Sequence, residues 1–319
     1  MSTLPSTPLS AGDSAGDRAS RRGFVLVLLA ALCWGTSGLS GTVVADRAGV
    51  SPLDIAWYRL AIGALALFAA RALTARRRGP AVPVTRPVAV RLVLIGAGLA
   101  AYQLAYFAAV EQAGVSIATL VALGLAPLLI AVGGTLLGSG RPDRATAVAL
   151  AVALVGLTLL VGVSAGADTG TTVLLGALTA TGSALGYAVV TLAGGGVPAG
   201  VPVTLAGFAG GALLLTPVVL ARGLTVPSDG VAVAVLLYLG LVPSALAYGL
   251  FFTGVRTVPG AVASIVTLLE PLTATLLATV LLGERLAPAA VAGGGLLLAA
   301  VAGLYLHRLR RPAGPATGA

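Results

Sequence analysis

Read by apolar and polar positions, the chain is a series of unbroken apolar runs joined by short polar segments. Ten runs approach or exceed the roughly 20 helical residues that cross a bilayer core of about 30 Å. The first five cover residues 24–44, 55–73, 92–110, 117–137 and 145–163, and the second five cover 173–193, 203–220, 231–255, 261–282 and 286–306. The pattern predicts an all-α integral membrane protein of ten transmembrane helices. Arg59 and Glu270 are the only formal charges well inside any run.

The two sets of five are related. Residues 108–138 and 252–283 align at an offset of 144, with Pro127 falling on Pro271. Both copies hold a short polar hinge, an apolar run, a mid-span proline and a closing Leu-Leu-Gly. Five crossings are an odd number, so the second copy must start from the opposite side of the membrane. Inverted repeats of this kind set a binding site near the midplane, with the halves rocking about it. The expected organisation is a disordered head at 1–22, repeats at 23–163 and 171–306, and a tail at 307–319.

Orientation follows from the basic residues, which stay cytoplasmic in short loops. With the N-terminus inside, fifteen of the nineteen arginines are cytoplasmic and only Arg47, Arg222 and Arg285 fall in outer loops. Both termini are thus expected in the cytoplasm of a cell whose plasma or inner membrane holds the chain. The first run follows Arg18, Arg21 and Arg22 but continues through Trp34, longer than the apolar core of a signal peptide.

Composition narrows the chemistry. Hydrophobic residues make up 58% of the chain and charged residues 9%, against roughly 25% charged in average soluble domains. A net charge of +9 would suit nucleic acid only on a folded soluble face, so no nucleic-acid partner is expected. There is no lysine to act as a nucleophile. Cys33 and His307 are the only cysteine and histidine, which excludes an intrachain disulfide, a Cys/His metal cluster and a Ser/His/Asp triad. No enzyme activity, metal or cofactor is expected, and His307, in an arginine-rich tail, is expected to be solvated.

Four residue groups carry a family resemblance across residues 23–306: Cys33-Trp34-Gly35, Trp57-Tyr58-Arg59, Glu270-Pro271 and Leu282-Gly283-Glu284-Arg285. In this order and spacing the chain resembles the EamA-like branch of the drug/metabolite transporter superfamily. The resemblance implies a secondary carrier of small metabolites or drugs, working by alternating access and more often in export. It departs from the family pattern at the end of the fourth span, where Gly138-Ser139-Gly140 stands in place of a Gly-Glu pair.

Glu270 lies nine residues into its run, roughly 14 Å deep. A charge there costs at least about 2.5–3.5 kcal/mol unless paired or hydrated, so it should face the bundle interior, for proton coupling, substrate contact or support of the helix break at Pro271. Ala126 holds the equivalent place in the first repeat. Ala263, Thr267, Glu270 and Ala274 share one helical face. Tyr102, Gln103 and Tyr106 are the candidate opposing wall, and Trp34, Tyr187 and Tyr248 are aromatics for stacking on a substrate or for packing. Arg59 is expected to reach the outer interface or pair with Asp54. Glu284 should hydrate at the outer end, leaving Arg59, Glu284, Pro127 and Pro271 as gate or structural candidates. Gly182/Gly186 and Gly207/Gly211 have the spacing for close helix contact, within the chain or in a homodimer. The rival readings are a pore or channel, and a membrane-embedded enzyme without a recognisable catalytic set.

Overall fold

The computed structural model describes residues 11–74, 82–161, 171–282 and 287–310. Among these residues the secondary structure is helical throughout. Nine stretches are long and apolar enough to span a membrane, and Arg144–Leu160 is a shorter apolar helix that completes ten crossings. In chain order they are α1 (Ala11–Gly35) with α2 (Ser37–Ala48), α3 (Pro52–Leu73), α4 (Arg86–Leu136), α5 (Arg144–Val161), α6 (Thr171–Gly195) and α7 (Val203–Arg222). There follow α8 (Gly230–Leu239), a π-helical turn Gly240–Leu246, α9 (Ala247–Gly254), α10 (Gly260–Thr267), α11 (Leu269–Leu282) and α12 (Pro288–Arg310).

Local chemistry starts and stops these elements. Ser51 caps α3 by accepting from the Asp54 N–H, with Pro52 preset for the first turn. Asp229 caps α8 in the same way at 2.8 Å. Gly49 ends α2 at φ 62°, a left-handed position that favours glycine. The helix α1 begins at Ala11, inside the head expected to be disordered: once a span is nucleated, adding helical residues to its end is cheap.

The 51 residues of α4 would measure about 77 Å if straight, far more than one crossing. They are two spans, Arg86–Ala113 and Ile117–Leu136. Tyr106 and Thr119 hydroxyls meet at 2.8 Å across thirteen residues, and Ala109 and Ala118 share one apolar cluster with Ala180. Both require the chain to double back between them.

The halves pack as an exchange-symmetric pair. The second span lies on the seventh, the fourth on the ninth, the fifth on the tenth; the third runs along the sixth as the eighth runs along the first. Swapping each span for the one five places away maps this set onto itself. Glycines allow the close approaches. A methyl group on Gly186 would stand 2.9 Å from the Gly98 carbonyl oxygen, and one on Gly254 would stand 2.7 Å from that of Gly23. These two contacts are counterparts in the two halves. Gly207 and Gly211 press on Ile95, Leu99 and Leu60, so this glycine pair, like Gly186, serves contacts within the chain.

Alternate loops gather at opposite ends. One end holds Arg47–Asp229 and Arg222–Glu111 ion pairs and the Tyr58 hydroxyl donating to the Thr225 carbonyl. The other holds Arg91 on the Ala193 carbonyl, Arg256 on the Pro198 carbonyl, and His307 3.6 Å from Asp143. His307, expected to be solvated, is half-buried because α12 extends to Arg310 and brings its ring against the cap of α5. Large apolar side chains such as Leu65, Phe68, Val93, Leu213 and Val291 cover the outside, as a lipid-facing surface requires.

Candidate functional site

Among the described residues, three spans are broken at mid-length. The first breaks at Thr36, whose hydroxyl turns back onto the Cys33 carbonyl at 2.7 Å and meets the Tyr238 hydroxyl of the eighth span at 2.9 Å. The eighth loosens into the π-helical turn around Pro243. The ninth breaks at Leu268 between α10 and α11. Pro271 explains this break: it has no N–H for the Thr267 carbonyl, and its ring clashes with that carbonyl in a regular helix. Pro127, its counterpart, is buried inside α4 without interrupting the helix. The break is therefore a feature of the second repeat alone.

Glu270 falls in the first turn of α11, where unpaired N–H groups and the helix dipole favour a carboxylate. Gly35 lets the first span close on this turn: a methyl there would stand 2.9 Å from the Glu270 carbonyl oxygen and collide with Thr273. Two broken helices thus meet at Glu270.

Arg59 does not follow the expected course to the outer interface. It is half-buried, its Nε donates to the Ser244 hydroxyl of the π-helical turn at 3.2 Å, and it lies within Coulombic reach of Glu270. Asp54, the partner expected for it, is 4% exposed and accepts from the Thr225 backbone N–H at 3.4 Å.

Aromatic rings wall the same region. Trp34 meets Tyr248 edge-on at 4.8 Å and Phe251 at 5.3 Å. Tyr102 stacks on Tyr106 at 6.4 Å and leans on Tyr187 at 6.0 Å. The Tyr187 hydroxyl donates to Thr267 at 3.4 Å. Tyr102, Tyr106, Tyr187 and Tyr248 all stand in the Coulombic field of Glu270. Five spans, the second, third, sixth, eighth and ninth, contribute to one cluster with the first behind it. Glu270, Arg59, Tyr102, Tyr106 and Tyr187 each keep partial exposure.

Gln103 is buried at 6% but has no hydrogen bond or ring contact with this cluster among the described residues. Glu284 lies outside the described residues. Sequence reasoning missed Ser183, Ser244, Thr36 and Phe251. Ser183 sits one turn before Tyr187 on the same helical face, a signal that was available; Ser244 had none, because its value lies in a π-helical turn. The Trp34 indole nitrogen and the Ser183 hydroxyl are both buried without a hydrogen-bond partner among the described residues. Each such group costs about 1–3 kcal/mol unless something completes it.

Comparison with known proteins gives a consistent picture. The model of the EamA-like transporter family matches residues 21–162 and again 171–306. The uncharacterized transporter YwfM of Bacillus subtilis is 30% identical over 280 residues, 86% of this chain and 90% of that protein. The uncharacterized inner membrane transporter YicL of Salmonella typhimurium is 25% identical over 299 residues, 92% of this chain and 98% of that one. A solved crystal structure superposes with a TM-score of 0.76 at 26% identity, covering 91% of this chain and 99% of its own.

Proposed function

Because the chain belongs to the EamA-like transporter family, we propose that it is a secondary carrier exporting a small organic molecule by alternating access, with Glu270 as its coupling group. That it is a multi-pass membrane transporter follows from family and spans together. The carrier reading rests on one observation: broken spans from both repeats converge on a carboxylate, an arginine and a wall of rings. A broken span can bend at its break while its ends stay packed, which is what two rocking halves need.

In this reading a planar or partly apolar solute lies among Trp34, Tyr102, Tyr187 and Tyr248. The Trp34 nitrogen and the Ser183 hydroxyl donate to it, completing groups that otherwise lack partners. Glu270 takes up or releases a proton as the site changes sides, and Arg59 holds the opposite charge in reach. The Tyr187–Thr267 contact closes the side nearest the arginine-rich end. The arginine distribution supports that end, and both termini, as cytoplasmic, and the similarity to a transporter named for the inner membrane supports the plasma or inner membrane.

A thermal-shift screen of the purified protein against metabolites tests the site, since a ligand of the folded state raises its apparent stability. A solute that stabilises the wild type is then followed into proteoliposomes. Saturable uptake with counterflow is the expected result; unsaturated flux without counterflow would indicate a pore instead.

A further inference from the structure

A cavity lies at the arginine-rich end, where Thr191, one helical turn beyond Tyr187, lines it. Its volume is about 640 Å³, and its walls come from the ends of the third, fourth, fifth, sixth and ninth spans and the loops beside them. Arg91, Arg141 and Arg256 line it, with Asp143 as the one acid among the lining residues. That acid is already engaged: one oxygen caps α5 on the Thr146 N–H at 2.8 Å and the other stands 3.6 Å from His307.

The Arg91 and Arg256 guanidinium groups contact backbone carbonyls. Arg91 reaches the Ala193 carbonyl at 3.4 Å and Arg256 the Pro198 carbonyl at 3.5 Å, both long. The Arg256 Nε is buried with no hydrogen-bond partner among the described residues. Burial also pushes the Arg256 guanidinium below its usual value, a cost that an anion would remove. Facing these groups is the start of α10. Its cap residue is Pro259, which gives no side-chain cap to the first N–H groups of the helix, and Gly260 and Ala261 both line the cavity. Free N–H groups at a helix start attract anions.

We propose that this cavity is an oxyanion site, where the carboxylate or phosphate group of the transported solute is recognised before it reaches the aromatic cluster. That the anion is carried across the membrane rests on the transporter reading; its binding here does not. A cavity walled by five spans suits a soluble anion more than a lipid headgroup, which approaches from the bundle's outer surface. Export of such a solute runs with an inside-negative membrane potential.

The test is titration of the purified full chain, in nanodiscs of phosphatidylcholine, with inorganic phosphate against chloride at equal ionic strength, read as melting temperature. Saturable stabilisation by phosphate is expected. Arg256→Gln and Arg91→Gln should each weaken phosphate binding about tenfold, as loss of charge-assisted hydrogen bonds does. Arg47→Gln, at the opposite end, should leave it unchanged. Arg141 is exposed, so Arg141→Gln folds even where the others fail, and it too should weaken binding. Absence of a phosphate-specific shift, or equal shifts in all variants, overturns the site. Weakening of phosphate binding when phosphatidylglycerol is added overturns the soluble solute in favour of a lipid headgroup. Phosphate binding that depends on Arg256 in a protein with no transport would keep the site and reject the carrier reading.

Discussion

Glu270 and Arg59 show how far single residues were legible. Depth alone selected Glu270, and depth with ring chemistry selected Tyr102, Tyr106, Trp34, Tyr187 and Tyr248, which the fold brings together. Arg59 was misplaced because the apolar run begins at Ile55 while the helix begins at Pro52, and because its partner Ser244 belongs to a span 185 residues away. No local pattern carries that contact. Ser183→Ala removes an unpartnered buried hydroxyl, so stability should hold or rise by up to about 1 kcal/mol while affinity for the stabilising solute falls about 5- to 30-fold. Melting curves with and without solute check both; a loss of stability with unchanged affinity would make Ser183 a packing residue. Arg59→Gln should cut transport at least about tenfold, measured as initial uptake, with Ser244→Ala, which removes one hydrogen-bond partner of Arg59 and leaves its charge, milder.

Elements were legible where periodicity and length decide, and less so where a break decides. The ten spans follow from apolar length, and the hairpin inside α4 follows from the short polar segment near residue 114. The breaks at Thr36 and in the π-helical turn carry weak signals, since threonine and proline also occur in unbroken membrane helices, as Pro127 demonstrates. Pro271 is the testable one. Pro271→Ala restores a donor for the Thr267 carbonyl and should straighten the ninth span. Melting temperature is then expected to rise or hold while the turnover rate falls, and a rate that matched the wild type would separate the break from the transport cycle. Gly35→Ala tests the same junction from the other side. Its methyl has no room against Glu270 and Thr273, so a destabilisation of about 1–3 kcal/mol is expected from overpacking.

At the scale of the whole molecule, the segregation of Arg91, Arg141 and Arg256 from Arg47 and Arg222 turns a loop count into two opposite ends. Reporters fused after Arg78 and Asp168 should report cytoplasm and exterior respectively; the reverse pattern would invert every assignment of sidedness. Proton coupling through Glu270 is measured by uptake of the stabilising solute into proteoliposomes with and without a pH gradient. Glu270→Gln keeps the shape of the side chain and removes its charge. The variant is expected to fold, keep counterflow and lose the response to the gradient; pH-driven uptake equal to the wild type would remove Glu270 from the coupling step.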